Sequence, residues 1–116
     1  MAEAFFEASR TGDLAAISGM LAEDVACYSD GGGKRNAAFR PLFGHADVLT
    51  LHSGLARQFA MRPSQIVRVG FINGLPGFVT LEADGILQTT ALQIENGQVT
   101  AIYIMRNPEK LGHLTH

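Results

Sequence analysis

Asn73-Gly74, Asp84-Gly85 and Asn96-Gly97 cut the second half of this chain into four segments, and nothing else in it restricts the fold as much. An Asn-Gly or Asp-Gly pair suits the two-residue hairpin turn, in which both central residues take φ > 0. The segments they separate, residues 65–72, 78–83, 86–94 and 98–105, are rich in β-branched residues and Phe and read as strands. Four strands joined by tight turns form an antiparallel meander. In the last one, alternation puts Val99, Ala101, Tyr103 and Met105 on one face and Thr100, Ile102, Ile104 and Arg106 on the other. Both faces are apolar, so one packs on helices and the other meets a cavity or a partner.

The first half has a different period. Residues 2–10 predict a short helix with Ala4, Phe5 and Ala8 on one face. Thr11-Gly12-Asp13 breaks it, and Asp13 or Thr11 caps the next helix, with a stripe of Leu14, Ile17 and Leu21. Residues 24–29 read as a strand and Ala37–Arg40 as its return, ended by Pro41 and Gly44. From His45 to Phe59, Val48, Leu51, Leu55 and Phe59 recur at helical spacing until Arg62-Pro63. Helix, helix, hairpin, helix and meander make an α+β chain, read as one domain over residues 1–116.

At 116 residues with 47% hydrophobic content, the chain can bury a core without staples. A formal charge of −2 with 17% charged residues argues against gripping a nucleic-acid backbone. The single cysteine, Cys27, excludes an internal disulfide and a cysteine-based zinc site. The N-terminal MAEAFFEASRTGDL lacks the charge and apolar run of a signal peptide, and no apolar run is long enough to span a bilayer. The expectation is a soluble cytoplasmic domain with no cofactor.

Two loops carry the functional signal. SDGGGKR, residues 29–35, holds more glycine than a tight turn needs, which points to close backbone approach by something else. RNPEKL, residues 106–111, ends the last strand. Asp30 reads two ways: as a turn residue accepting backbone N–H groups, or as a general base if desolvation raises its pKa. Lys34 and Arg35 beside the glycines suit either solvent or an anion, but the run lacks the spacing and final Ser/Thr of a P-loop. Pro108 removes a ladder donor and extends Asn107, so Asn107 to Leu111 either terminates the strand or faces a partner. His45 and His52 lie seven apart on the third helix, and His113 and His116 three apart in the tail. Neither pair has a third ligand at recognisable spacing, so no metal is expected. His52 is read as a surface histidine or one at a cavity mouth, and Cys27 as a small core residue. Tyr28, Phe39, Phe59, Phe71, Tyr103 and Met105 are candidates to line an apolar pocket.

The chain resembles the SnoaL-like branch of the NTF2-like (cystatin-like) superfamily along essentially its whole length. Within that branch, FFEASRTGDLAAISGMLAEDVACYSDGGGKRNAAFRPLFG and IYIMRNPEKLGHL are similar to the C-terminal extension of certain extracytoplasmic-function sigma factors, marked by DGGGK and NPDKL motifs. The first motif stands intact here as Asp30, Gly31, Gly32, Gly33 and Lys34. The second stands as Asn107, Pro108, Glu109, Lys110 and Leu111, with Glu for Asp. The resemblance implies a cone: three helices of the N-terminal half packed in a strongly curved, mostly antiparallel sheet. It also implies a non-catalytic regulatory domain whose two motifs contact sigma core domains and, through them, RNA polymerase. The sigma regions that bind polymerase and promoter DNA are not among these residues. Two alternatives come with the branch: a ketosteroid-isomerase or polyketide-cyclase type enzyme with Asp30 as base, or a sensor holding an apolar small molecule in the cone. The isomerases use a helix-1 tyrosine and a late-strand acid as enolate donors; the corresponding segments here offer Phe5 and Phe6, and Thr89 to Leu92. Homodimerisation through the outer sheet face is implied by the resemblance too.

Overall fold

The computed structural model describes residues 1–30, 41–62, 64–82 and 85–106, with the side chains of Asp30 and Phe59 excepted. Helices α1 (Ala2–Thr11) and α2 (Leu14–Met20) precede strand β1 (Leu21–Asp30). A short strand β2 (Leu42–Phe43) and helix α3 (His45–Met61) follow. The meander β3 (Gln65–Ile72), β4 (Leu75–Leu81), β5 (Leu87–Glu95) and β6 (Gln98–Arg106) closes the chain. The six strands form one sheet in the order β2-β1-β6-β5-β4-β3, in which β1 and β6 run parallel and every other pair antiparallel. This is the α+β layout expected, with the sheet curled around the helices as a cone.

Local chemistry sets the element ends. Gly12 adopts a left-handed conformation, φ 79°, and closes α1, where a side chain would be strained. Asp13 then caps α2, its carboxylate accepting from the Ala16 amide at 3.1 Å, while Thr11 donates back to the Glu7 carbonyl. Asn73-Gly74 and Asn96-Gly97 have paired positive φ angles of 52° and 86°, and of 54° and 77°, the signature of the hairpin turn expected there.

The core lies between the helices and one face of the sheet. Phe5, Ile17 and Val48 from the three helices meet Cys27, Phe78, Leu92, Val99 and Ile102 from the strands. The Phe6 ring packs edge-on to Phe78 at 5.2 Å.

Several expectations need correction. The first helix buries Ala2, Phe5, Ala8 and Ser9, and Ala4 is exposed. Leu21 is buried as the first residue of β1, not as part of the α2 stripe. The return strand pairing with β1 is Leu42–Phe43, between Pro41 and Gly44, while residues 37–40 lie outside those described. β4 starts at Leu75 because only two residues are needed to turn; Pro76 joins the strand opposite Phe71. Val99 faces the core with Ile102, because Thr100 is an extra residue between the pairs Ile94–Val99 and Gln93–Ala101. A bulge of this kind breaks the period of two on which the face assignment rested.

Candidate functional site

The two glycine- and proline-marked motifs begin at adjacent points of the sheet. Asp30 opens the first motif as the last residue of β1, and Arg106, the last residue of β6, precedes Asn107. The strands are parallel neighbours, with Asp30 in register with Met105. Neighbouring strands lie about 4.8 Å apart, so the two motifs leave one rim of the sheet side by side. Gly31 to Lys34, Asn107 to Leu111 and Phe39 lie outside the described residues, as do the side chains of Asp30 and Phe59.

Beside that rim, on the sheet face turned away from the helices, Tyr28 and Tyr103 are register partners across the parallel pair. Their rings stack 5.2 Å apart and within 8° of parallel. Phe43 stands edge-on to Tyr28 at 6.1 Å. Tyr28, Tyr103 and Phe43 are 36%, 38% and 60% exposed. This face follows from alternation: Cys27 and Ile102, one residue before each tyrosine, are in the core. Ala26 pairs with Ala101 in the same face. A depression of about 180 Å³ opens here, lined by Tyr28, Tyr103, Met105, Ala91, Thr89 and Ile72 among others. Three of the predicted pocket residues, Tyr28, Tyr103 and Met105, are thus gathered at one depression, on the outer face of the cone. Phe71 is elsewhere, 72% exposed on the edge strand β3.

Inside the cone the sequence hid a polar cluster. The Arg10 guanidinium lies over the Phe6 ring at 4.9 Å, donates from Nε to Ser64 Oγ at 2.6 Å and from Nη1 to Ser9 Oγ at 3.0 Å. Its Nη2 is 3.8 Å from Glu82 Oε2, which also accepts from the Thr80 hydroxyl at 2.5 Å. Burial lowers the guanidinium pKa from its ordinary value, against the raising effect of Glu82. His52 is 3% exposed rather than on the helix surface. It donates from Nδ1 to the Val48 carbonyl at 3.0 Å and meets Phe5 edge-on at 5.4 Å. Burial holds its pKa below the ordinary histidine value; the Val48 hydrogen bond opposes this and the nearby Arg10 charge adds to it. Arg10 carries no signal in the sequence, because it stands alone in an unremarkable helical stretch; His52 is visible there beside His45, but its burial is set by packing against Phe5. His45 is drawn off separately, donating from Nε2 to the Ser18 carbonyl at 2.9 Å. Among the described residues no group of three or more His, Cys, Asp or Glu gathers. No described helix is long and apolar enough to cross a membrane.

No protein-family model matches the chain, and no curated protein matches it in sequence. Solved structures do match it in shape. A SnoaL-like protein of unknown function from Burkholderia thailandensis superposes with a TM-score of 0.71 at 14% identity, over 90% of this chain and 89% of that one. The Mycobacterium tuberculosis extracytoplasmic function sigma factor SigJ matches with a TM-score of 0.69 at 24% identity. That match covers 94% of this chain but 41% of SigJ. A putative ketosteroid isomerase from Kribbella flavida matches at 0.66 and 14%, over 90% of this chain and 73% of that one. The fold is therefore the SnoaL-like, NTF2-like one, shared by proteins whose described functions differ.

Proposed function

We propose that this chain is a non-catalytic regulatory domain of the sigma-factor-extension type, with the segments from Asp30 to Lys34 and from Asn107 to Leu111 contacting sigma core domains. The carrying observation is the parallel pairing of β1 with β6, which ends both strands at one rim in register, Asp30 with Met105. Two motifs separated by more than seventy residues in sequence thus start as neighbours, as a composite contact requires. The match to SigJ over nearly the whole of this chain supports the same reading. A fold alone does not choose a function; the neighbouring ends of β1 and β6, from which the two motifs continue, favour this one.

The isomerase alternative asks for a donor on α1 beside the cavity. Phe5 is in the core against His52, and Phe6 packs on Phe78. Neither ring offers a proton, and the donors that α1 does turn inward are engaged within the protein, Ser9 with the Phe6 carbonyl and Arg10 with Ser64, Ser9 and Glu82, so the tyrosine donor that enolate stabilisation uses in the isomerases has no counterpart at Phe5 or Phe6.

The test is transcription in the source organism, with the native protein altered at its own locus. One variant carries Gly31→Ala, Gly32→Ala and Gly33→Ala; another carries Asn107→Ala and Pro108→Ala. Both change transcript levels of the same set of promoters. Promoters indifferent to both variants would sink the reading, as would ketone isomerisation by the wild type that Asp30→Asn abolishes.

A further inference from the structure

We infer that the Tyr28–Tyr103 platform and its depression form the apolar half of the partner interface, receiving an aromatic or aliphatic side chain from the polypeptide that the two motifs engage. The inference rests on the regulatory reading above and identifies the partner surface that goes with it. Three exposed aromatic rings in a row, Phe43 against Tyr28 and Tyr28 against Tyr103, are more than scattered surface hydrophobics, and contiguous patches of this kind mark interaction sites. Tyrosine is also the residue type enriched where binding energy concentrates.

Position selects the occupant. Tyr28 precedes Asp30, the last residue of β1, by two residues, and Tyr103 precedes Arg106, the last residue of β6, by three. At about 3.3 Å per residue, the platform begins within about 7 Å of one strand end and about 10 Å of the other. A polypeptide held by both motifs at the rim therefore lies against the platform or directly beside it. The depression, at about 180 Å³, has the volume of about six waters, too small for a helix and suited to one large side chain. Met105, Ala91 and Ile72 supply apolar walls, and Thr89 a hydroxyl at the edge. SigJ shows that a chain of this fold occurs with more than half of its protein beyond the matched domain, which is where such a segment would come from.

The experiment places Tyr28→Ser with Tyr103→Ser in the native full-length protein, beside the motif variants above, Tyr103→Phe, and Phe71→Ser as a more exposed aromatic control on the edge strand β3. Native-like melting is confirmed for each. Expected is a promoter response to the double serine variant like that of the motif variants, about tenfold or more where the response follows binding. Tyr103→Phe keeps the ring and behaves as wild type, and Phe71→Ser has no effect. In parallel, p-benzoylphenylalanine at Phe43 crosslinks to a sigma core region, identified by peptide sequencing. If the motif variants act and the serine variant does not, the platform inference falls while the regulatory reading stands. If neither acts, the regulatory reading itself has failed. A crosslink to a second copy of this chain, or none, also overturns the inference, the first by naming a dimer as the occupant.

Discussion

His52 and Cys27 show how burial sets chemistry one residue at a time. A histidine 3% exposed with its pKa lowered by desolvation is neutral in the fold and ionises more readily in the unfolded chain. The sign follows: the unfolded state binds more protons just below the ordinary histidine pKa, so stability rises with pH there and is lost as pH falls. Urea unfolding at pH 7.5 and 5.5 is expected to show a lower midpoint at pH 5.5. The loss should shrink in His52→Gln, which cannot ionise; an unchanged loss in that variant would assign it to other groups. Cys27 is 2% exposed, and burial pushes its thiol up to about 11, against a hydrogen bond from Ser29 that lowers it. Since the thiolate is the reactive form, this thiol is inert at neutral pH. An aromatic disulfide reagent at pH 7.5 is expected to react with the native chain at least about a hundredfold more slowly than with the urea-unfolded chain. Comparable rates would mean the thiol is reached without unfolding.

Among the elements, the parts legible in the sequence are those fixed by local chemistry. Asn73-Gly74, Asn96-Gly97, Gly12 and the Asp13 cap all act within four residues, and each was readable. Asp13→Ala removes one exposed capping bond and is expected to cost about 1 kcal/mol, seen as a lower urea midpoint with an unchanged slope. Features imposed by a neighbouring strand were not readable. Gly77 looked like part of a loop, yet it lies in β4 opposite Ala91, and a Cβ there would sit 2.2 Å from the Thr90 carbonyl oxygen. The approach of β5 forbids a side chain, and the sequence of β4 cannot reveal that. Gly77→Ala is expected to destabilise by about 1–3 kcal/mol through overpacking, more than Asp13→Ala. Equal losses in the same denaturation experiment would show that β5 yields at that point. The Thr100 bulge is invisible for the same reason, being a property of the β5–β6 pairing.

At the scale of the whole molecule, the parallel β1–β6 pair is the step no local reading reaches. It joins residues more than seventy apart in sequence and brings the two motif roots together. The motifs themselves were legible by resemblance; their adjacency belongs to topology. The same strand order also distributes stability unevenly. β6 lies between β1 and β5, and Ile102 and Val99 beneath it are fully buried. β3 is at the sheet edge with one neighbour. Its Ile66, Val67, Val69 and Phe71 are 41–72% exposed, so few apolar contacts hold it down. Openings of low free energy fall where burial and pairing are sparse. Amide exchange followed by mass spectrometry is therefore expected to show residues 65–72 losing protection well before residues 98–106, through opening of the edge alone. Uniform protection across both strands would mean that the sheet opens only as a unit, and that the exposed edge is held as firmly as the strand beneath the motifs.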